Sequence, residues 1–180
     1  VMERVQSVIQ KIEPHDSIER YTGLGVDIEI GEATIVSPYV VEVNGKRITT
    51  RNIVVATGAR PFVPPIEGID EIDYFTSDNL WDLREKPKKM VVLGGGPIGS
   101  ELTQSFNRLG VDVTQVEMAP RIMGREDPEI SAMVQQKFIE EGVKVLVNHT
   151  AKKFIKKRGK PLLVAEFEGQ DVEIPFDTLL

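Results

Sequence analysis

The stretch Met90–Glu117, MVVLGGGPIGSELTQSFNRLGVDVTQVE, contains the residues that decide the fold. Met90–Leu93 is a short apolar run, which is typical of a strand buried in a sheet. Ile98–Leu109 has the apolar spacing of an amphipathic helix, and Gly110 stands where a helix C-cap is expected. A second strand is predicted at Asp112–Val116, so the stretch forms a β-α-β unit. The apolar stripe of the predicted helix consists of Ile98, Leu102, Phe106 and Leu109.

The glycines of this stretch, Gly94, Gly96 and Gly99, follow the G-x-G-x-x-G pattern of nucleotide-binding turns. Gly94 permits a tight turn off the strand, Gly96 lets a pyrophosphate approach the backbone, and Gly99 lets the helix pack close to the sheet. The helix N-terminus offers free N–H groups and a partial positive charge to phosphates. The pattern therefore predicts a dinucleotide site, and the alternative is a glycine-rich turn without a ligand.

Glu117 ends the second strand, about 20 residues after Gly94, where such sites carry the acid that binds ribose. Its carboxylate can accept hydrogen bonds from both ribose hydroxyls and would repel a 2′-phosphate. NAD(H) is therefore favoured over NADP(H). Arg121 and Arg125 lie just beyond and could still reach a 2′-phosphate, so NADP(H) remains the less favoured alternative. A solvated strand end is the alternative interpretation of Glu117.

The C-terminal part of the chain continues the alternation of strands and helices. Asp127 can cap a second helix that begins at Pro128, and Gly142 ends it. A third strand at Lys144–Val147 completes a β-α-β-α-β order, which predicts a parallel sheet with right-handed crossovers. The next β-rich pieces, KKFIKK, PLLVAEFE and DVEIP, predict an antiparallel meander, and FDTLL lies within another strand. The stripe of the second helix consists of Ile130, Met133, Val134 and Phe138.

The N-terminal half is predicted to contain one helix and several short strands. Met2–Glu13 has helical apolar spacing, and Pro14 ends the helix. VDIEI and ATIV are β-rich, and Asn44-Gly45 between YVVEV and KRITT is a strong signal for a hairpin with a type I′ turn. Ile53–Ala56 is a continuous apolar run, as in a strand buried on both faces.

Residues 61–87 are rich in proline and acid and predict a long connection with at most one helical turn, near Ser77–Leu83. Such a connection is uncommon inside one domain, so we place a domain junction there. Residues 1–75 form one predicted domain, with a helix and a β-rich segment, and residues 76–180 form the other. The fold class is α/β, with a Rossmann-like parallel βαβαβ sheet, an antiparallel meander and a β-rich N-terminal part.

Composition restricts the chemistry of the chain. It has no cysteine, which excludes disulfides, thiolate metal sites and cysteine nucleophiles within these residues. His15 and His149 lack ligand spacing and are expected at the surface or at strand ends, so we predict no metal site and no catalytic residue. A net charge of −6 disfavours nucleic-acid binding, and the basic run KKFIKKRGK is expected to be a solvated β-hairpin. No membrane segment is found in the sequence, and a cytoplasmic location is expected.

A second signature, ATGARP at Ala56–Pro61, lies upstream of GGGPIG. Together the two motifs resemble the pyridine nucleotide-disulfide oxidoreductases, in which a dinucleotide-binding domain interrupts a flavin domain and an ATG motif closes the first flavin segment. VVLGGGPIGSELTQSFNRLG and REDPEI are similar to the class I branch, in particular to its dihydrolipoamide dehydrogenase and mercuric reductase groups. The resemblance covers nearly the whole chain.

The resemblance implies that the chain is a middle fragment of a longer protein. Complete members of the family begin with their own glycine-rich unit for FAD. They also carry a C-x-x-x-x-C redox pair and end in a dimerisation domain with a His-Glu pair, and none of these features occurs here. Residues 1–75 would then belong to a partial FAD-binding domain, residues 76–180 would form the inserted NAD(H)-binding domain, and the full-length protein would be a homodimer.

The resemblance also assigns site residues in the glycine-rich unit. The pyrophosphate would be lined by Gly94, Gly96, Pro97, Ile98 and Gly99. Pro97 stands where relatives often have a tyrosine or valine that gates the nicotinamide pocket, so this proline departs from the pattern. Glu101 matches a glutamate near the nicotinamide and the flavin, and a solvated position on the helix is its alternative interpretation.

For the flavin, the resemblance implies contacts from the N-terminal part. Thr57 and Gly58 would approach the flavin nucleotide, and Glu32 and Ala33 match a G-x-A stretch whose backbone meets the FAD adenine. The implied activity of the whole enzyme is hydride transfer between NAD(H) and FAD, followed by electron transfer to or from a disulfide or a small-molecule acceptor. The chain alone is expected to bind the dinucleotide without turnover.

Two other functions remain open at this point. One is a non-catalytic module that senses NADH, acts through a partner and needs no flavin. ATGARP argues against it, because a sensor has no use for a strand that returns to a flavin domain. The other is a flavin-containing NADH oxidase-type reductase that lacks a redox dithiol.

Overall fold

The computed structural model describes all residues from 1 to 180, and these form two compact units, residues 1–60 and 61–180. The first unit has two α-helices and a three-stranded antiparallel sheet in the order β1-β2-β3. Its helices are α1 (Met2–Ile12) and α2 (Ile18–Gly23), and its strands are β1 (Ala33–Ser37), β2 (Val40–Val43) and β3 (Lys46–Thr49).

The hairpin predicted at Asn44-Gly45 is confirmed. It joins β2 to β3, and Asn44 and Gly45 have φ angles of 52° and 76°, as a type I′ turn requires. The α2 helix was not predicted. It is short, and its N-terminal signal is the side chain of Ser17, which accepts a hydrogen bond from the backbone N–H of Arg20 at 3.2 Å.

Two strands predicted in the first unit are absent. VDIEI is irregular, and Ile53–Ala56 is neither paired nor buried, with Val54 87% and Val55 66% exposed. An apolar run becomes a buried strand only where neighbouring strands offer hydrogen-bonding edges, and no other strand of the chain pairs with this one. The prediction of a strand buried on both faces was therefore wrong for this structure.

The second unit contains a four-stranded parallel sheet, two helices and a three-stranded antiparallel meander. Its elements in chain order are β4 (Lys89–Leu93), α3 (Pro97–Arg108), β5 (Asp112–Val116), α4 (Pro128–Glu140), β6 (Lys144–Leu146), β7 (Thr150–Lys157), β8 (Lys160–Phe167), β9 (Gln170–Pro175) and β10 (Thr178–Leu179). The predicted α/β class, the parallel β-α-β-α-β unit, the meander and the strand in FDTLL are confirmed.

The strand order of the parallel sheet is β10-β4-β5-β6. From β4 the chain winds through β5 to β6 on one side, and β10 then pairs with the other side of β4. The carboxyl ends of β4 and β10 therefore flank a topological switch point, where open α/β sheets bind their ligands.

The core of the second unit lies between the parallel sheet and the meander. Its buried side chains include Val91 and Val116 from the parallel sheet and Phe154, Leu163 and Phe176 from the meander side. The rings of Phe154 and Phe176 pack edge to face, with centroids 6.1 Å apart. Because one apolar cluster joins both sheets, the parallel sheet is fixed against the meander.

The buried faces of the helices agree only in part with the predicted stripes. On α3 the buried residues are Ser100, Thr103 and Phe106, of which only Phe106 was predicted, whereas Ile98 is 60% exposed. Near Gly99, α3 packs so closely on the sheet that the small side chains of Ser100 and Thr103 fill the interface, and Ile98 remains at its margin. On α4, Ser131 and Phe138 are buried, whereas the predicted core residues Ile130 and Met133 are exposed. Asp127 occupies the N-cap position of α4, but its side chain makes no capping hydrogen bond.

The second compact unit begins at Pro61, earlier than the junction placed after residue 75. The connection packs on the parallel sheet: Ile69 and Ile72 enter its core, and the N–H of Phe75 donates to the carbonyl of Leu179 at 2.8 Å. Its regular structure is limited to two short 3₁₀ turns, Ile69–Glu71 and Leu80–Asp82. No helix in the structure has both the length and the apolar character needed to cross a bilayer.

Candidate functional site

The glycine-rich turn leaves β4 at the centre of the parallel sheet. Gly94 has a φ of +113°, a conformation that side chains rarely adopt, and its N–H donates to the carbonyl of Val116 at 2.8 Å. A Cβ atom added at Gly99 would lie 2.6 Å from the carbonyl oxygen of Gly94. Only a glycine at residue 99 lets α3 approach the strand this closely.

The peptide group between Gly94 and Gly95 is held at both ends by two side chains from the neighbouring strand region, Gln115 on β5 and Glu117 just after it. The Gly94 carbonyl accepts a hydrogen bond from Nε2 of Gln115 at 3.1 Å, and the Gly95 N–H donates to Oε2 of Glu117 at 2.6 Å. The Gly95 carbonyl in turn accepts from the N–H of Met123 at 2.6 Å. The backbone N–H and carbonyl groups of Gly94 and Gly95 are therefore all hydrogen-bonded within the protein.

The second half of the turn keeps its donors free. Within the chain, no hydrogen bond uses the N–H groups of Gly96, Ile98 and Gly99, and Pro97 has no N–H. Space beside Gly96 is open, because a Cβ atom added there would meet no atom within 4 Å. These donors form the N-terminus of α3, where the helix dipole adds a partial positive charge. The arrangement suits a phosphate group.

Glu117 lies at the carboxyl end of β5, half-buried. Both of its carboxylate oxygens accept backbone hydrogen bonds, Oε2 from Gly95 at 2.6 Å and Oε1 from Ala119 at 2.7 Å. The sequence predicts that this carboxylate accepts hydrogen bonds from both ribose hydroxyls. In the structure the carboxylate is fixed in one orientation, and each oxygen keeps a lone pair for a further donor.

The arginines beyond Glu117 differ in their contacts. Nη2 of Arg121 donates to the carbonyl oxygens of Gly124 at 2.9 Å and Glu126 at 3.4 Å, so Arg121 closes its own loop. Arg125 is exposed and has no hydrogen bond or ion pair to another side chain. The two candidates for reading a 2′-phosphate are therefore not equivalent.

A pocket of about 360 Å³ opens at the switch point, on the β10 side of the glycine turn. The ends of β4 and β10 form its floor, the start of α3 forms one wall, and residues 61–64 and 74–77 form the other. Most of its lining is apolar and includes Phe62, Val63, Ile98 and Leu102. Exposure of Ile98 and Phe62 thus has a local explanation, since both side chains border this pocket.

The structure brings together some of the predicted site residues and not others. Of the predicted site residues, those that line the pocket are Gly94, Gly96, Pro97, Ile98 and Gly99. Glu117 lies at the end of the neighbouring strand and is joined to the turn through Gly95. Glu101 is exposed on α3 and does not line the pocket, which agrees with a solvated position.

The residues suggested for a flavin lie in the first unit. Glu32 and Ala33 are at the start of β1, where Ala33 pairs with Val43. Thr57 and Gly58 are in the irregular segment after β3, and all four residues are exposed. No hydrogen bond joins one pair to the other, so the structure gives no geometry for a flavin site.

The sequence did not single out the polar residues that hold the turn. Gln115 is fully buried between Val113 and Val116, and Ser100 is 3% exposed on the inner face of α3. Gln115 lies two residues after Val113 and so on the same face of β5, and a polar residue on the face of a buried valine is the signal that could have found it. Such groups are buried where they make hydrogen bonds. His149, expected at the surface or a strand end, is a buried residue just before β7 and stacks on Phe167.

The family model described as "Pyridine nucleotide-disulphide oxidoreductase" matches residues 2–180. A mercuric reductase of Staphylococcus aureus is 37% identical over 166 residues, which cover 92% of this chain and 30% of that protein. A dihydrolipoyl dehydrogenase of Acholeplasma laidlawii is 32% identical over 160 residues, which cover 87% of this chain and 46% of that protein. The chain therefore spans less than half the length of either relative.

A solved structure is similar over 99% of this chain and 40% of its own length, with a TM-score of 0.83 and 26% identity. It is the Cu(II) complex of the HOCl-induced flavoprotein disulfide reductase RclA from Escherichia coli.

Proposed function

Because the chain belongs to the pyridine nucleotide-disulphide oxidoreductase family, we propose that it is the NAD(H)-binding portion of an FAD-dependent oxidoreductase of class I. One observation carries this proposal. The free N–H groups of Gly96, Ile98 and Gly99 lie between a fixed carboxylate, Glu117, and an apolar pocket at the switch point. This arrangement suits one ligand, with its ribose at Glu117, its phosphates at the free N–H groups and its nicotinamide in the pocket.

The phosphates of the dinucleotide would be bound at the N-terminus of α3. The open space beside Gly96 admits them to the backbone, and Pro97 removes no needed donor because it stands at the first position of the helix. The turn is suited to this role because its other polar groups are already paired, so it need not rearrange on binding. Such preorganisation lowers the entropy lost when a ligand binds.

The adenosine ribose would be bound by Glu117, and this favours NADH over NADPH. The fixed carboxylate can accept from a ribose hydroxyl through its remaining lone pairs, and its charge repels a 2′-phosphate. Arg121 does not offset that charge for a ligand, because it donates to carbonyl oxygens of its own loop. Arg125 is the basic residue left to contact a phosphate.

The nicotinamide end of the dinucleotide suits the apolar pocket. A bound nicotinamide supplies hydride chemistry, and the part of the protein is to bind, orient and exclude water. Ile98, Leu102 and Phe62 offer apolar surface for that purpose. Pro97 also borders the pocket and is a rigid neighbour where relatives often have a gating side chain.

The remaining functions are proposals that rest on the family. FAD would be contacted by Thr57, Gly58, Glu32 and Ala33, and Glu101 would lie near the nicotinamide and the flavin in the whole protein. The electron acceptor would be a disulfide or a small molecule, and the whole protein would act as a homodimer. No cysteine occurs in these 180 residues, so we expect the chain to bind the dinucleotide without reducing a disulfide.

A calorimetric titration of the chain with NADH and, separately, with NADPH tests the proposal. We expect NADH to bind at least about tenfold more tightly, a difference of about 1.4 kcal/mol. Tighter binding of NADPH would contradict the role of Glu117 and favour Arg125 as the reader of the 2′-phosphate. Absence of binding by both nucleotides at millimolar concentration would overturn the proposed function.

A further inference from the structure

Gln115 is a fully buried polar side chain whose position on β5 the dinucleotide-binding motif does not explain. It is 0% exposed, and its strand neighbours Val113 and Val116 are equally buried. Its Nε2 group donates to the Gly94 carbonyl at 3.1 Å and to Oγ of Ser100 at 3.2 Å. Its Oε1 atom has no partner.

A glutamine is a costly choice at this position. Burying an amide oxygen without a hydrogen bond opposes folding, and an apolar side chain of similar size would avoid the cost. The contact that an apolar residue cannot make is the one to the Gly94 carbonyl. This carbonyl belongs to the same peptide group as the Gly95 N–H, which donates to Glu117.

We propose that Gln115 is a positioning residue that fixes the glycine turn for the dinucleotide. With Glu117 it holds the Gly94–Gly95 peptide from both ends, and so it sets the direction in which the chain enters the free donors of Gly96 and α3. This inference rests on the proposed function, because it is the dinucleotide that uses the donors. Gln115 acts through the backbone and does not border the pocket.

The test replaces Gln115 by methionine, which has similar length and no donor. We expect the NADH dissociation constant to rise about five- to tenfold, as for the loss of one hydrogen bond. We also expect hydrogen exchange of the Gly95 amide to become faster in the absence of ligand. The melting temperature should change little, because removal of the unpartnered Oε1 offsets the loss of the donor to the Gly94 carbonyl.

The matched control is Thr103→Val. Thr103 is also fully buried on the inner face of α3 with an unpartnered hydroxyl, but it makes no hydrogen bond to the glycine turn. We expect this variant to keep the affinity for NADH and the exchange rate of Gly95. The same changes in both variants would point to general loosening of the α3 interface and would overturn a specific role of Gln115.

The outcomes separate this inference from the proposed function. Unchanged exchange and unchanged affinity in Q115M would overturn the positioning role. Faster exchange in a chain whose unmodified form binds no NADH would support positioning of the turn and refute the dinucleotide. Loss of a cooperative unfolding transition in both Q115M and Q115L would make Gln115 a residue needed for folding, which also overturns the inference.

Discussion

The backbone N–H of Gly95 donates a 2.6 Å hydrogen bond to Oε2 of Glu117, and this bond joins the glycine turn to the end of the neighbouring strand. A ribose that binds to Glu117 would therefore contact a group that also holds the glycine turn. The hydrogen bond from Ala119 to the other oxygen keeps the carboxylate from rotating away. Under the proposed function, affinity for the dinucleotide and preference for NADH would therefore both depend on Glu117.

Replacing Glu117 by glutamine tests that dependence. The amide has one accepting oxygen, so one of the two backbone N–H groups of Gly95 and Ala119 would face an NH₂ group. We expect the NADH dissociation constant to rise about tenfold or more, since hydrogen bonds to charged groups contribute about 1.5–3 kcal/mol. The preference for NADH over NADPH should fall in the same titrations.

The control for this substitution is Glu126→Gln. It removes the same charge from an exposed position in the following loop, where the hydrogen bonds of Glu126 are made by its backbone: the N–H donates to Met123 and the carbonyl accepts from Arg121. An equal loss of NADH affinity in both variants would mean that net charge, and not the fixed carboxylate, determines binding. Unchanged affinity in the Glu117 variant would contradict its assignment to the ribose.

Alanine substitutions at two glycines of the turn test its packing and its binding of a phosphate separately. Gly99→Ala would bring a Cβ atom within 2.6 Å of the Gly94 carbonyl, and overpacking of this kind costs about 1–3 kcal/mol. Gly96→Ala would place its Cβ in open space with a φ of −71°, which alanine adopts freely. We expect the first variant to melt at a lower temperature. The second should melt as the unmodified chain does and lose affinity for NADH, because its methyl group occupies the approach of the phosphate.

Thermal unfolding and NADH titration of the two alanine variants check this prediction together. A Gly96→Ala chain with full affinity would show that no phosphate approaches residue 96. A Gly99→Ala chain with full stability would mean that α3 can shift away from the strand, contrary to the close approach seen here.

The sequence predicted the alternation of strands and helices in the second unit because several local signals agree there. Apolar runs, helical spacing and a proline at a helix start all gave the same assignment for β4 through β6. The buried faces of the helices were not predictable from hydrophobicity. Closeness of α3 to the sheet places Ser100 and Thr103 inward, and Gly99 permits that closeness because it has no side chain to meet the Gly94 carbonyl.

The glycine motif of the candidate site was predictable from the sequence, whereas the side chain that holds the glycine turn was not. Gly94, Gly96 and Gly99 follow a pattern in which each glycine has a local reason. Gln115 holds the turn across a neighbouring strand, and the pairing of β4 with β5 that brings it there is not local. The prediction of a strand at Ile53–Ala56 was wrong for the same reason, because strand formation depends on pairing partners that these residues do not specify.

The connection before β4 approaches the meander closely at Gly68, which lies against the backbone of Phe154 on β7. A Cβ atom added at Gly68 would clash with the carbonyl oxygen of Phe154, whereas one added at Gly159 would meet no atom within 4 Å. Both glycines have left-handed backbones, with φ of +78° and +75°. Alanine at either position costs about 1–2 kcal/mol for its backbone, and Gly68→Ala adds the clash.

We therefore expect the melting temperature to fall more for Gly68→Ala than for Gly159→Ala. Comparison of the two variants by thermal unfolding isolates the contact between the connection and β7. Equal melting temperatures would mean that the connection can lift away from the meander, and the assignment of residues 61–75 to the second compact unit would be wrong.

Glu141 follows α4 and forms an ion pair with Arg108 on α3, so it joins the two helices of the second unit. This ion pair should make the stability of the protein depend on pH. The Glu141 carboxylate accepts from Arg108 at 2.7 and 3.0 Å, and this hydrogen bonding lowers the pKa of Glu141 below its usual 4.5. A lowered folded-state pKa stabilises the protein above pH 4.5, and the contribution is lost as the pH falls through the folded-state pKa.

We expect Glu141→Gln to lower the melting temperature at pH 7 and to match the unmodified chain in strong acid. Glu140→Gln, which removes a carboxylate 3.7 Å from Lys137, is the control and should change little at either pH. A melting-temperature difference for Glu141→Gln that stays constant from pH 7 to pH 3 would show that the ion pair with Arg108 is not its source.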